Sequence, residues 1–220
     1  MIKLVIFDLD GTLLDTVSTL AYYVNRAIGK HGLAPITDEE CKVFVGNGAR
    51  LLIERALRSR GAYTPELHES CLSDFSMDYR RDVTYLTAPY EGVVDTLTAL
   101  RARGYKTAVL SNKPDVAARA VVGALLPPVF DEVRGARDGI ALKPSPDGAL
   151  ELIRSLGFSP SEVAYVGDTD VDMKTGRAMG ARLTVGVSWG FRSREELLAN
   201  GADVILDSPR ELISEVEKIV

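Results

Sequence analysis

The chain has 220 residues, 46% hydrophobic and 26% charged, which suits a globular protein with one large domain or one domain carrying an insertion. Its formal net charge is -5 and its basic residues form no runs, so neither nucleic acid nor a membrane surface is expected as a partner. Two cysteines, Cys41 and Cys71, are too few for a disulfide framework; both fall in helical patterns and read as buried thiols of a cytoplasmic protein. The sequence opens directly on a strand, and no apolar run approaches the ~20 residues of a membrane span.

That first strand carries the chemistry. Leu4, Val5, Ile6 and Phe7 are apolar without a break, as in a strand buried on both faces of a parallel sheet. Asp8 and Asp10 follow, spaced to project to the same side of an extended chain, and Gly11 permits a sharp turn. Like charges this close repel, and a hard divalent cation held by oxygen ligands, Mg2+, would relieve them. The plain alternative is an Asp-Gly turn that closes a strand.

Residues 17–83 show helical signals instead. Val17, Leu20, Ala21, Val24, Ala27 and Ile28 have helical spacing, ended near Gly29–Gly32. Thr37, Asp38, Glu39 and Glu40 read as a capping box. Gly46, Asn47 and Gly48 break the chain before a helix with Leu51, Leu52, Ile53, Ala56 and Leu57. Thr64, Pro65 and Glu66 start another, with Leu67, Cys71, Leu72, Phe75 and Tyr79 on one face.

From Pro89 the pattern alternates β and α. Strands are expected over 106–110, 129–134, 163–166, 182–187 and 204–206, with helices over 91–103, 115–122, 147–156, 194–199 and 210–219 and one ending at Met179. Such alternation means a parallel sheet with right-handed crossovers. Ligands of such sheets bind beyond the carboxyl ends of the strands, where Asp8, Asp10, Ser111 and Asp168 fall, with Lys143 on a loop within reach.

Asp8-Leu9-Asp10-Gly11-Thr12-Leu13, Ser111-Asn112-Lys113, Lys143-Pro144 and Gly167-Asp168 with Asp172 occur in that order. Together they resemble the four signature motifs of the haloacid dehalogenase superfamily, over essentially the whole chain. Pro89-Tyr90-Glu91-Gly92-Val93, Val187-Ser188-Trp189-Gly190-Phe191 and Gly201-Ala202-Asp203 resemble its phosphoglycolate phosphatase-like subgroup. The resemblance implies an α/β fold: a Rossmann-like doubly wound parallel sheet (residues 1–15 and 88–220) with an inserted small all-helical cap (residues 16–87).

It also implies roles. Asp8 would be the nucleophile, passing through an aspartyl-phosphate. Asp10 would be the general acid and then the base, so it must hold a proton in the first step. Mg2+ would be held by the Asp8 and Asp168 carboxylates and the Asp10 main-chain carbonyl. Ser111 and Lys143 would bind phosphate, and Lys143 would also pair with Asp8. Ser111 alone could equally be a helix cap, and Lys143 alone a solvated loop charge. Thr12 and Asn112 would neighbour the phosphate, and Asp172 would orient the water shell or Lys143. Asp170 reads instead as a solvated acid at a helix start.

The cap would select substrate. Asn47, Gly48 and Arg50 open a helix whose amides could hold an anion and whose Arg50 could clasp a carboxylate; the alternative is a plain helix start with a surface Arg50. Thr16 could face the substrate, and Trp189 could close the entrance or be structural. The expectation is a Mg2+-dependent phosphatase for a small phosphorylated metabolite, 2-phosphoglycolate first, acting as a monomer or weak homodimer. A β-phosphoglucomutase-like isomerase, a pyrophosphatase and a non-catalytic binding module are the alternatives. A dehalogenase would leave Asp10 without a task, and a phosphonatase would need a Schiff-base lysine that neither Lys30 nor Lys42 supplies convincingly. Hinges are expected at 15–17 and 84–90.

Overall fold

The structure is a computed structural model and describes residues 1–219. Its centre is β1 (Leu4–Phe7), buried along its whole length. β4 (Lys106–Pro114) and β6 (Val163–Gly167) flank it in parallel, Phe7 standing opposite Val109 and Val166. β5 (Glu132–Ala136), β7 (Leu183–Val187) and β8 (Val204–Leu206) complete a six-stranded sheet of order β5-β4-β1-β6-β7-β8, with every pairing parallel.

The unbroken apolar run of β1 follows from having helices on both faces. Val5 and Phe7 join a cluster with Leu97 and Leu100 of α5 (Val93–Ala102), Val121 of α6 (Asp115–Leu125) and Leu212 of α10 (Glu211–Glu217). Leu4 and Ile6 join another with Leu152 and Ile153 of α7 (Asp147–Leu156) and Met179 of α8 (Asp170–Met179). Leu197 of α9 (Arg194–Ala199) packs on Met173 and Ile205 beside the sheet edge. The connections leave β1 toward β4 on one side and reach β6 on the other, so the order reverses at β1, and a crevice opens over its carboxyl end.

Between β1 and α5 the chain forms α1 (Val17–Gly29), α2 (Asp38–Phe44), α3 (Ala49–Ser59) and α4 (Pro65–Arg81). These helices bury an apolar cluster of their own, with Val24, Ile28, Ile53, Leu57 and Cys71 at its centre. The capping box forms as Thr37 and Glu40 exchange hydrogen bonds, and Thr64 caps α4 with Pro65 in its first turn. The chain enters and leaves this block side by side. β2 (Leu14–Asp15) pairs antiparallel with β3 (Ala88–Pro89), a two-stranded ribbon at the expected hinge positions.

Two strand boundaries differ from the sequence reading. β5 starts three residues later and ends two residues later than expected; residues 127–131 run irregularly beside β4, with the Asp131 N–H donating to the Thr107 carbonyl at 2.8 Å. β4 continues through Ser111–Pro114, since β5 runs on beside it to a last pairing of Pro114 with Ala136. No helix among the described residues is long and apolar enough to cross a membrane.

Arg192, on the loop after β7, ties the helical block to the sheet. Its guanidinium donates to the Lys42 carbonyl and, at 3.1 Å, to the Val45 carbonyl, both at the C-terminal end of α2, where backbone acceptors lack helical partners. Arg192→Ala is expected to destabilise the protein by about 1–3 kcal/mol and to speed hydrogen exchange of the α2 amides first. Unchanged protection in α2 would show that the contact adds nothing.

Candidate active site

Three carboxylates meet where β1 and β6 end. Asp8 is 6% exposed, and Asp168 and Asp172 are fully buried. Oxygens of all three lie within 4.8 Å of one another. Lys143 Nζ sits 2.7 Å from Asp8 Oδ1 and donates to Asp172 Oδ1 at 2.8 Å. The approach to Asp8 is off-line for a hydrogen bond, so that buried oxygen keeps its lone pairs open. Asp172 also accepts from the Thr169 N–H and hydroxyl at 3.1 and 2.6 Å in the first turn of α8, which leaves it orienting Lys143.

Asp168 is held by Thr12 Oγ1 at 2.8 Å and by the Phe191 N–H at 2.9 Å. Space for it comes from two glycines. A Cβ on Gly11 or Gly190 would stand 2.2 or 2.3 Å from the Asp168 side chain. Gly11 also has φ +84°, where a side chain is strained. Trp189 lies outside the large cavity and braces this turn, donating Nε1–H to the Thr12 carbonyl at 3.0 Å.

Burial pushes the Asp8 carboxyl up to about 7, with the Asp172 charge second and Asp10 the least of the contributions. The repulsion expected between Asp8 and Asp10 is therefore minor, and the crowding runs across the strand ends instead. Burial, then Asp172 and Asp8, push Asp168 well above the usual carboxylate range. Burial alone would lower Lys143, but Asp172 and Asp8 outweigh it and hold the ammonium charged. One ammonium against three buried carboxylates leaves room in the charge balance for a divalent cation. The triad of Asp8, Asp168 and Asp172 could hold one; Lys143 and Thr169 engage Asp172, Thr12 and the Phe191 N–H engage Asp168, and Asp8 Oδ1 is left open. The Asp10 carboxylate stands outside this cluster.

Asp10 has a lysine of its own. Lys113 Nζ, on a side chain 3% exposed, donates to Asp10 Oδ1 at 2.7 Å. Lys113 falls within the Ser111-Asn112-Lys113 motif but has no task legible in sequence; its place at a strand end is the available signal. Ser111 is buried, lines the cavity and accepts the Lys113 N–H at 3.2 Å; α6 begins only at Asp115, so Ser111 caps no helix.

Four of the expected ligand-binding side chains are engaged elsewhere. The Asn112 amide donates at 3.0 Å to the Gly46 and Lys143 carbonyls and accepts the Lys143 N–H at 2.8 Å, so it fixes the Lys143 loop and has no donor left for phosphate. The Thr12 hydroxyl is spent on Asp168. Asn47 Oδ1 accepts from Arg55 at 2.8 Å. Arg50 is exposed and pairs with Glu69 of α4, because it shares the helix face of Ile53 and Leu57 that packs on α4. Gly48 and Ala49 do reach the cavity.

That cavity, of about 520 Å3, lies between the strand ends and the helical block. Asp8, Asp10, Ser111 and Lys113 line its floor, Leu20, Leu52, Phe75 and Phe191 its walls, and Tyr79 and Arg80 of α4 its upper side. Arg80 makes no ion pair with any described residue, whereas Arg137 at the rim pairs with Glu151. Thr16 is fully buried and lies off the cavity.

A doubly wound sheet with a strand-end carboxylate, a lysine paired to it and an overlying helical block defines a class of α/β hydrolase. The model of the haloacid dehalogenase-like hydrolases matches residues 2–180. The chain belongs to that family, as a phosphatase of its phosphoglycolate phosphatase-like subgroup. It is 32% identical to a phosphoglycolate phosphatase of Haemophilus influenzae, over 96% of this chain and 97% of that one. It is also 32% identical to an N-acetylmuramic acid 6-phosphate phosphatase of Pseudomonas aeruginosa, over 99% and 96%. A crystal structure from Lactobacillus delbrueckii subsp. bulgaricus, provisionally named a phosphoglycolate phosphatase, superposes with TM-score 0.92 at 32% identity over 97% and 98% of the two chains.

A carboxyl at about 7 in the folded protein and near 3.8 in the unfolded chain makes the cation-free fold bind the extra proton. That stability is complete below about pH 4 and is lost as pH rises through about 7. A divalent cation needs the deprotonated carboxylates, so the melting-temperature gain from added MgCl2 over EDTA should be larger at about pH 8 than at about pH 5. Equal gains in calorimetry at both pH values would show that the cation binds elsewhere. Gly190→Ala should displace Asp168 and abolish the gain.

Proposed function

We propose that the chain hydrolyses the phosphomonoester of a small phosphorylated carboxylic acid, 2-phosphoglycolate first, with Mg2+ held by Asp8 and Asp168. The observation that carries this reading is Lys143, buried at the strand ends with its ammonium 2.7 Å from Asp8 Oδ1 and hydrogen-bonded to Asp172 Oδ1 at 2.8 Å. An ammonium so placed meets an incoming phosphate dianion beside the carboxylate that attacks it. Both curated relatives compared above are named for substrates that join a phosphate to a carboxylic acid.

An Asp8 carboxylate oxygen attacks phosphorus, the ester P–O bond breaks, and the leaving alkoxide takes a proton from Asp10. Water then attacks the aspartyl-phosphate while Asp10 takes its proton, and Asp8 and inorganic phosphate are released. Mg2+ would supply positive charge between the attacking carboxylate and the phosphate. Lys143 and the Ser111 hydroxyl orient the phosphate oxygens. The helical block, residues 16–87, acts as a cap whose apolar walls exclude water, and it reopens about the β2–β3 ribbon to release product.

A larger substrate is the second reading. A cavity of about 520 Å3 holds more than a glycolate leaving group, and one relative is named for an amino-sugar acid phosphate. Relative kcat/KM for 2-phosphoglycolate, N-acetylmuramic acid 6-phosphate, sugar phosphates and pyrophosphate decides between them. Asp8→Asn is expected to remove activity by roughly three orders of magnitude or more. Asp10→Asn should slow alkyl phosphates by roughly 10²–10⁴-fold and aryl phosphates, whose leaving groups need no proton, far less. Equal losses on both would reject the acid role.

A further inference from the structure

The floor of the cavity holds a second cation that phosphate binding does not use. Lys113 Nζ is buried and spends one of its three donors on Asp10 Oδ1. It lies over the Tyr79 ring, 4.9 Å from the centroid. Tyr79 is 4% exposed and lines the cavity, yet its Oη has no hydrogen-bond partner. A buried hydroxyl without a partner is costly and uncommon in native proteins, which points to a partner that arrives with the ligand. The acids nearby do not fill that place. Asp115, also on the cavity wall, is committed to Arg119 and to the Gly135 N–H, each at 2.8 Å.

We infer that Lys113 and Tyr79 form the receptor for a substrate carboxylate attached one carbon from the ester oxygen. The inference rests on the proposed function and adds the residues that select the leaving group. If Asp10 meets the ester oxygen at hydrogen-bond distance, the ammonium 2.7 Å from Asp10 stands just beyond that oxygen. In 2-phosphoglycolate one methylene separates the ester oxygen from the carboxylate carbon, and with bonds of about 1.5 Å the carboxylate falls beside Lys113. A carboxylate many bonds away, as in an amino-sugar acid phosphate, would pass this pair and reach the unpaired Arg80 at the upper side. Lys113 comes from β4 and Tyr79 from α4, so the receptor is complete only when sheet and helical block meet. A substrate that fills it therefore joins the two.

The test compares 2-phosphoglycolate with 2-hydroxyethyl phosphate, which has the same chain length and no carboxylate. The wild-type protein should favour 2-phosphoglycolate in kcat/KM. Lys113→Met should cut that preference by roughly 10–100-fold, and Tyr79→Phe by roughly 3–10-fold. The Tyr79→Phe protein removes a hydroxyl that has no partner, so its ligand-free melting temperature should not fall. A preference untouched in both variants overturns the receptor. So does an equal loss on both esters in Lys113→Met with Tyr79→Phe at wild-type preference, since Lys113 would then act through Asp10 alone. Wild-type turnover of both esters at equal rates overturns the receptor and leaves the phosphatase reading standing. Turnover of neither, with Mg2+ present, overturns that reading and the receptor together.

Discussion

Three carboxylates buried behind a single ammonium set the terms for everything at the strand ends. Such a cluster persists only if each oxygen is oriented and the charge is shared, and the surrounding residues do both. Thr169 and Lys143 hold Asp172, Thr12 and the Phe191 N–H hold Asp168, and Trp189 holds the backbone of Thr12. Gly11 and Gly190 are bare because a Cβ would occupy the space of the Asp168 side chain. Burial and crowding of like charge raise the Asp8 and Asp168 carboxyls, with Lys143 the one ammonium among them.

The helical block is coupled to this cluster by polar contacts as much as by packing. Asn112 joins the Gly46 carbonyl of the block to the main-chain N–H and carbonyl of Lys143. Arg192 extends from the loop that also carries the Asp168 donor Phe191 and grips the end of α2. A shift of the block therefore strains the loops that position Lys143 and Asp168. The two chain crossings lie side by side in the β2–β3 ribbon.

What the sequence makes legible here is local or periodic. The apolar run of β1, the Thr37 and Thr64 caps and the glycine stops state their elements within a few residues, and the elements form there. Asp8 and Asp168 come together because strand ends in a parallel sheet share one edge, a rule that spacing alone can invoke, and the loop before α7 brings Lys143 to them. The ribbon of β2 and β3 has two residues a side and no period to detect. Arg50 and Arg80 could not be ranked, since which helix face meets the cavity depends on how α3 and α4 dock. Asn112 looked like a ligand donor because its amide can donate; only the loop packed against it shows that every donor is taken.

Asp8 and Asp10, the two catalytic carboxylate candidates, are each paired with a separate lysine. In the proposed reaction, Lys143 would answer the charge on the side of Asp8, where phosphate would arrive, and Lys113 on the side of Asp10, where the leaving group would depart. A single shared cation could not serve both, because moving toward one acid would leave the other buried beside uncompensated charge. On that reading, two cations would let the phosphate end of a substrate be held while the other end is read independently. Selectivity can then change through residues such as Tyr79 and Arg80 on α4, without disturbing the carboxylates that the sheet fixes in place.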